Sequence, residues 1–562
     1  MKVTVLEKNN FTGGRCSLIH TEGGYRFDQG PSLLLLPNLF RDTFRDLDCS
    51  LDKAGVQLLR CPTNYDVWFP DGERFRTSAD EALMKGEIER FEGQDGFRRY
   101  LKWKAEAHEH YTRSMAHVMR RNFTSFWQML NPVFFWNSLF MHPFESMWSR
   151  TSRYFFTDRL RMVFTFATMY MGMSPFDAPS TYSLLQYTEL AEGIWYPKGG
   201  FQTILEALVQ IGESLGVQYR LSTPVKKILT NGDATTAIGV ELGSGEKLLA
   251  DVVVVNADLV YAYNHLFPQD NKAIARYAAS LRTREASCSS ISFYWSLSKK
   301  IDKLGTHNIF LASEYRGSFD DIFKRHSLPR NPSFYVNIPS RIDPSAAPEG
   351  CDAIIVLVPV GHLVESADCC ANIGIVGGTT NKVKAELTKQ DWPGLVAKAR
   401  EAVLSTISER TGMERLDKYI VEETVNEPAI WESRFNLDRG AILGLSHSFM
   451  NVLALRPGTR ARGLRSAYFV GASTHPGTGV PVVLSGARLT AEQILDDLGM
   501  CVPWRGKDLA SRRDGASQKA DTAALDRRRP PLWSSDGKLF ILLLITVLVA
   551  RILYDWLVAM PH

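Results

Sequence analysis

A chain of 562 residues with 45% hydrophobic content can bury a large core and should divide into two or more domains. Its net charge of +4, from interspersed acids and bases, is too small to imply a nucleic-acid partner. The 8 cysteines include no CxxC pair, which argues against a zinc cluster or disulfide scaffold and suits a reducing compartment.

In chain order, Val3–Glu7 reads as a β-branched strand ending in a carboxylate, as in the second strand of a dinucleotide fold. There the acid accepts hydrogen bonds from ribose hydroxyls. The first strand and the GxGxxG turn expected ahead of it are absent, so the sequence looks truncated by roughly the ~30 residues of a βαβ start. Gly13-Gly14-Arg15 follows; taken alone it is a plain turn with a surface arginine, whereas after Glu7 it suits a phosphate contact. Between about Asp95 and Tyr187, tryptophans and phenylalanines (Trp103, Phe126, Trp127, Phe144, Trp148) are interleaved with arginines at helical spacing. Either a helical subdomain with an aromatic core or a surface dipping into lipid accounts for that pattern. Tyr154–Tyr170 reads as one helix, with Asp158 and Arg161 paired at i, i+3.

Pro197-Lys198-Gly199-Gly200 is a turn opening a helix over Gln202–Ser214. Short strands are expected at Val217–Leu221, Val225–Leu229, Ala237–Leu242, Leu248–Asp251 and Val252–Val255, and further strands from Ser290 to about Pro359. A helix over Gly394–Thr411 follows them. His307 and His362 have no partner at metal-ligand spacing, and no metal site is expected. Ala467–Val470 then reads as a buried strand ending at Gly471. Gly477 and Gly479 let the backbone turn sharply, and Pro481 fits the first turn of a helix running to Leu495. A strand, a glycine-rich turn and a helix N-terminus make an anion site, the alternative being an ordinary glycine-rich connection. Past Cys501, Arg505–Pro531 is polar and arginine-rich, as in a disordered linker. Leu539–Met560 as one helix would be ~33 Å long at ~1.5 Å per residue, enough to span a bilayer. The basic flank would keep the body on the cytosolic side.

The run Tyr468–Ala487, YFVGASTHPGTGVPVVLSGA, resembles the C-terminal signature of the bacterial and fungal phytoene desaturases, FAD enzymes of carotenoid formation. Gly13-Gly14-Arg15, Phe27–Ser32, Trp195–Phe201 and Asn256-Ala257-Asp258 extend the resemblance over most of the chain. It implies an α/β fold with a Rossmann-like FAD domain in three pieces (1–60, 200–270 and 445–500) lacking its first strand and GxGxxG. A mixed-sheet substrate domain would take 61–94 and 271–444, and a helical membrane-associating subdomain 95–199. A disordered linker (503–535) and a transmembrane tail anchor (536–560) would complete the chain.

FAD contacts are implied at Glu7, Gly13, Gly14, Arg15, Gly30, Pro31, Ser32, Pro197, Gly199, Gly200, Val225, Gly471, Gly477, Gly479 and Val480. A catalytic part is implied for Asp158 and Arg161. The implied activity is successive dehydrogenation of phytoene to lycopene or a more desaturated carotene. The implied partners are the carotene, a membrane (the endoplasmic reticulum or another endomembrane), oxygen or a quinone as electron acceptor, and a second copy or other carotenoid enzymes. A carotenoid isomerase or retinol saturase, and a non-catalytic membrane-anchored relic, are the alternative readings.

Overall fold

The computed structural model describes residues 1–364 and 390–505. Residues 1–499 form one compact unit and Met500–His562 a second. The linker and tail anchor expected at 503–535 and 536–560 fall almost wholly outside the described residues. Among the described residues no helix is long and apolar enough to cross a membrane, so the transmembrane element of the expected fold gains no support from the structure.

Two short parallel pairs stand where the dinucleotide sheet was expected. Thr4–Leu6 runs beside Gln218–Arg220, and Val253–Val255 beside Ala467–Phe469. A separate antiparallel sheet joins Val225–Thr230, Ala237–Leu242 and Lys247–Leu249. Tyr263, Phe267 and Phe469 stack beneath these strands, with centroids 5.1–5.4 Å apart between Phe469 and the other two. Aromatic stacking of this kind holds the Ala467–Phe469 strand in place from below.

The largest sheet has seven strands. Its order is Ile420–Asn426, Ser289–Leu297, Asp352–Val360, Phe334–Asn337, His307–Phe310, Tyr65–Trp68 and Arg74–Thr77. All neighbours are antiparallel except His307–Phe310 beside Tyr65–Trp68. All nine residues of Ser289–Leu297 are buried, so both faces of this strand are covered. On one face Ile291, Phe293 and Trp295 pack against Ala399, Val403, Leu404 and Ile407 of the helix Trp392–Thr411. On the other, Tyr294 meets Tyr25 and Phe27. The Tyr294 hydroxyl donates to the Gln29 carbonyl at 2.6 Å, which ties this sheet directly to the segment Phe27–Ser32.

The helical region differs from its expected form. Glu81–Ser114 is a long helix interrupted at Gly93, whose φ of 66° and ψ of −173° are not helical. Tyr154–Tyr170 is not one helix. It contains Asp158–Val163, capped by the Thr157 hydroxyl, and a 3₁₀ stretch over Phe166–Met171. Just past its end the Thr165 hydroxyl donates back to the Arg161 carbonyl at 2.7 Å, a bond that competes with the helical ladder. The aromatics divide between core and surface. Trp103 is fully buried and Phe123 nearly so, whereas Phe126, Trp127, Phe140 and Phe144 are exposed.

Candidate cofactor site

Three glycine-bearing turns come together around Arg15, Leu18, Asp28 and Leu205. Gly13 and Gly14 both have positive φ, and the ideal Cβ position of Gly13 lies 3.5 Å from Leu205 in the helix Gln202–Ser214. Gly30 passes so close that a Cβ there would stand 2.6 Å from the Arg15 carbonyl oxygen. Gly200, with φ of 92°, leaves 2.6 Å between its Cβ position and Leu18, and 3.0 Å to Asp28. At Gly30 and Gly200 the approach leaves no room for a side chain, and at Gly13 and Gly14 it is the positive φ that favours glycine. Val480, in the first turn of the helix Val480–Asp497, packs into the cluster built by Phe201, Ile204 and Leu205.

Asp28 is the joint between two of these turns. Its carboxylate, 1% exposed, accepts from the Tyr196 hydroxyl at 2.6 Å and from the Phe201 amide at 2.7 Å. Burial raises its pKa to about 6 against the pull of both donors. Asp343 extends the joint by accepting from Gly199 N–H and from Arg26, each at 2.7 Å. Sequence reasoning singled out the turns but not Asp28 or Asp343, because their partners lie more than a hundred residues away.

The expected phosphate and ribose contacts fall as follows. Glu7 ends its strand and accepts from the Asn9 amide at 2.8 Å, and its carbonyl accepts from Thr223 N–H, which brings Val225 into the same corner. The half-buried Arg15 guanidinium makes no hydrogen bond to a described residue and has Asp258 as its acidic neighbour. Asn256 donates to the Val470 carbonyl at 2.9 Å and lies against Gly471, whose Cβ position is 3.0 Å from that amide. Beside Gly30, the Gln29 Nε2 is buried without a partner. The amides of Ala472, Ser473, Gly477 and Gly479 make no hydrogen bond to described protein groups. A free guanidinium, an orphaned side-chain amide and free backbone amides at a helix N-terminus are the donor set that a dinucleotide with a pyrophosphate requires. The residues fit FAD.

Asp158 and Arg161 are not drawn into this corner. Arg161 donates to Asp158 at 2.9 Å and to the Phe155 carbonyl at 2.9 Å, and the Asp158 side chain is 71% exposed. Pro31 and Ser32 belong to the site segment. The Ser32 hydroxyl stands 3.0 Å from the Tyr335 hydroxyl, which is 2.7 Å from His307 Nδ1. His307 and His362 are therefore buried structural residues rather than surface ones.

Close to that chain lies Glu189, 5% exposed, hydrogen-bonded by the Tyr65 hydroxyl at 3.2 Å, with Tyr170 donating to Tyr65. Burial pushes the Glu189 carboxyl up to about 8. Its folded value lies above its unfolded one, so its stabilising contribution is complete below about pH 4.3 and is lost as pH rises through 8. The expected result is that Glu189→Gln flattens the fall in stability across this window. Urea unfolding at pH 5, 6.5 and 8 measures it, and equal slopes for the two proteins would refute the assignment.

Among the described residues one group has metal-ligand spacing: Glu106, His110 and His142 bring three ligand atoms within 4.8 Å of one another. Arg150 donates to both Glu106 oxygens, at 2.8 and 2.5 Å, and Tyr154 adds a hydroxyl at 2.6 Å. Both His110 nitrogens are engaged, by Ser183 and by the Phe140 carbonyl. The guanidinium supplies the positive charge here, and the cluster is a structural one.

Comparison with known proteins agrees with this geometry. Residues 1–286 match the flavin containing amine oxidoreductase family. Phytoene desaturase of Neurospora crassa is 60% identical over 510 residues, covering 89% of this chain and 82% of that one. The Cercospora nicotianae phytoene desaturase is 51% identical, covering 99% of this chain and 94% of the relative. Among solved structures, cyclohexylamine oxidase from Brevibacterium oxydans superposes with a TM-score of 0.52 at 12% identity, over 88% of this chain and 93% of that one. At that identity the likeness concerns the fold alone.

Proposed function

The chain belongs to the flavin containing amine oxidoreductases and, within them, to the phytoene desaturases, and from that premise we propose how its residues divide the work. The activity is FAD-dependent desaturation of phytoene in carotenoid biosynthesis, an oxidoreduction of CH–CH groups. The bound flavin supplies the two-electron acceptor for a hydride leaving an allylic CH₂, while the neighbouring carbon loses a proton.

The observation that carries our reading is the meeting of the Gly13–Arg15, Gly30 and Gly199–Gly200 turns with the helix beginning at Val480. Arg15 would hold the phosphates, the free amides of Ala472, Ser473, Gly477 and Gly479 would line the flavin and its pyrophosphate, and Glu7 would hold the ribose. Asp28 and Asp343 keep the turns in register, so that orientation costs nothing at the moment of reaction. A hydrocarbon offers no polar grip, so its binding must come from burial at ~25 cal/mol per Å².

Such a substrate is dissolved in lipid, and we propose that the protein takes it from a membrane. Exposed Phe126, Trp127, Phe140 and Phe144 suit an interface, and Phe144 lies 5.1 Å from Phe449, beside exposed Met450. The sequence of Leu539–Met560 supports a tail anchor at an endomembrane, with the body cytosolic. The electron acceptor is oxygen or a quinone, the end product lycopene or a more desaturated carotene, and self-association or assembly with other carotenoid enzymes is compatible with both.

For Asp158 and Arg161 the resemblance carries an assisting part in catalysis, while their contacts close on each other. Purified protein in detergent is expected to show flavin absorbance and to turn phytoene in liposomes into a coloured polyene. Flavin without polyene would favour an isomerase or saturase, and neither would favour a relic. D158N and R161A that keep both flavin and full turnover would remove the pair from the chemistry.

A further inference from the structure

The segment after the glycine turn's strand is organised by a residue outside the turn itself. Arg456 is 2% exposed, and all five of its N–H groups are taken by backbone carbonyls. Nη1 donates to Ser446 at 3.0 Å and Asn451 at 2.8 Å; Nη2 donates to Leu445 at 3.2 Å and Ala472 at 2.5 Å. Nε donates to Thr474 at 3.3 Å. No carboxylate meets it among the described residues, and the other charged neighbour, Arg284, is of like sign. His447 and His475, both buried, are held neutral by their surroundings.

A buried cation without a counter-charge is costly, and buried charges are as a rule paired. Here the two sides of the turn differ. The carbonyls of Ala472 and Thr474 are turned in towards Arg456, while the amides of Ala472, Ser473, Gly477 and Gly479 remain free. The positive end of the helix Val480–Asp497 adds to the same field. A hydride brings two electrons and one proton, so the acceptor that takes it gains one negative charge. The second hydrogen leaves the substrate as a proton.

We propose that Arg456 is a positioning residue that holds the 471–479 turn and favours the reduced, anionic form of the cofactor bound there. The proposal rests on the reading that this turn closes over FAD. It is tested on the full chain in detergent by the midpoint potential of the bound flavin and by titration with sulfite, which forms an anionic flavin adduct. The wild type is expected to have a potential above that of free FAD and to bind sulfite. Arg456→Gln is expected to lose at least tenfold of its preference for the reduced form, about 30 mV for a two-electron couple. Arg456→Lys retains the charge but not the five bonds, and should keep most of the potential.

If lysine and glutamine fall equally, the residue is structural only and the proposal is overturned. A wild-type potential at or below that of free FAD overturns it without any variant, which covers the case in which Arg456→Gln fails to fold. A protein that keeps its flavin undiminished in Gly477→Ala places the turn away from the cofactor, and the reading of the site then fails together with the proposal.

Discussion

Replacement of Asp28 by alanine is expected to destabilise the protein by about 2–6 kcal/mol and to strip it of flavin. The carboxylate accepts from the Tyr196 hydroxyl and the Phe201 amide, and both donors belong to residues 1% exposed. Removing the acceptor leaves two buried donors unsatisfied, at about 1–3 kcal/mol each. Because Asp28 joins the Phe27–Ser32 segment to the Gly199–Gly200 turn, the loss should fall on the site before the seven-stranded sheet. Asp28→Asn keeps one acceptor and should cost less than half as much. Urea unfolding together with flavin content per chain measures both effects. An alanine variant within 1 kcal/mol of wild type would show that the joint is dispensable.

Gly477→Ala is expected to weaken flavin binding at least tenfold, a large effect for one methyl group. Gly477 has a φ of 144°, which only glycine adopts readily. A Cβ at this position would stand 2.3 Å from His447 Nε2 and 3.1 Å from its Cδ2. His447 is itself 2% exposed and accepts from the Thr478 amide at 3.1 Å, so its ring has nowhere to go without breaking that bond. The backbone must move instead, and with it the amides of the turn. Gly86→Ala is the control: it lies on an exposed helix with nothing near its Cβ position and should be neutral or slightly stabilising. The ratio of flavin to protein absorbance separates the outcomes, and equal ratios in the two variants would exclude the steric argument.

The local elements were the legible part of this fold. The helix Gln202–Ser214 and the strand Ala237–Leu242 match their expected bounds, and the helix after Gly479 begins at Val480, one residue before Pro481. Proline, glycine and apolar period act over a few residues, so their meaning does not wait for the rest of the chain. Tyr154–Tyr170 shows the limit, since its side-chain pattern suits a helix while the Thr165 hydroxyl and burial of Phe166 shape the actual break.

By itself, then, the amino-acid sequence determined the glycine turns, the arginine and acid placed beside them, and the family to which the whole belongs. Only the tertiary structure decided which turns touch, because that depends on contacts between residues hundreds of positions apart. Tyr65–Trp68 pairs with His307–Phe310, and Asp28 reaches Tyr196 and Phe201. Arg456 shows the reason most plainly. Its neighbours in sequence mark a turn and nothing more, whereas its function follows from five carbonyls left unbonded by the elements that surround it. Which carbonyls remain unpaired is fixed only when every strand and helix has taken its share of backbone hydrogen bonds.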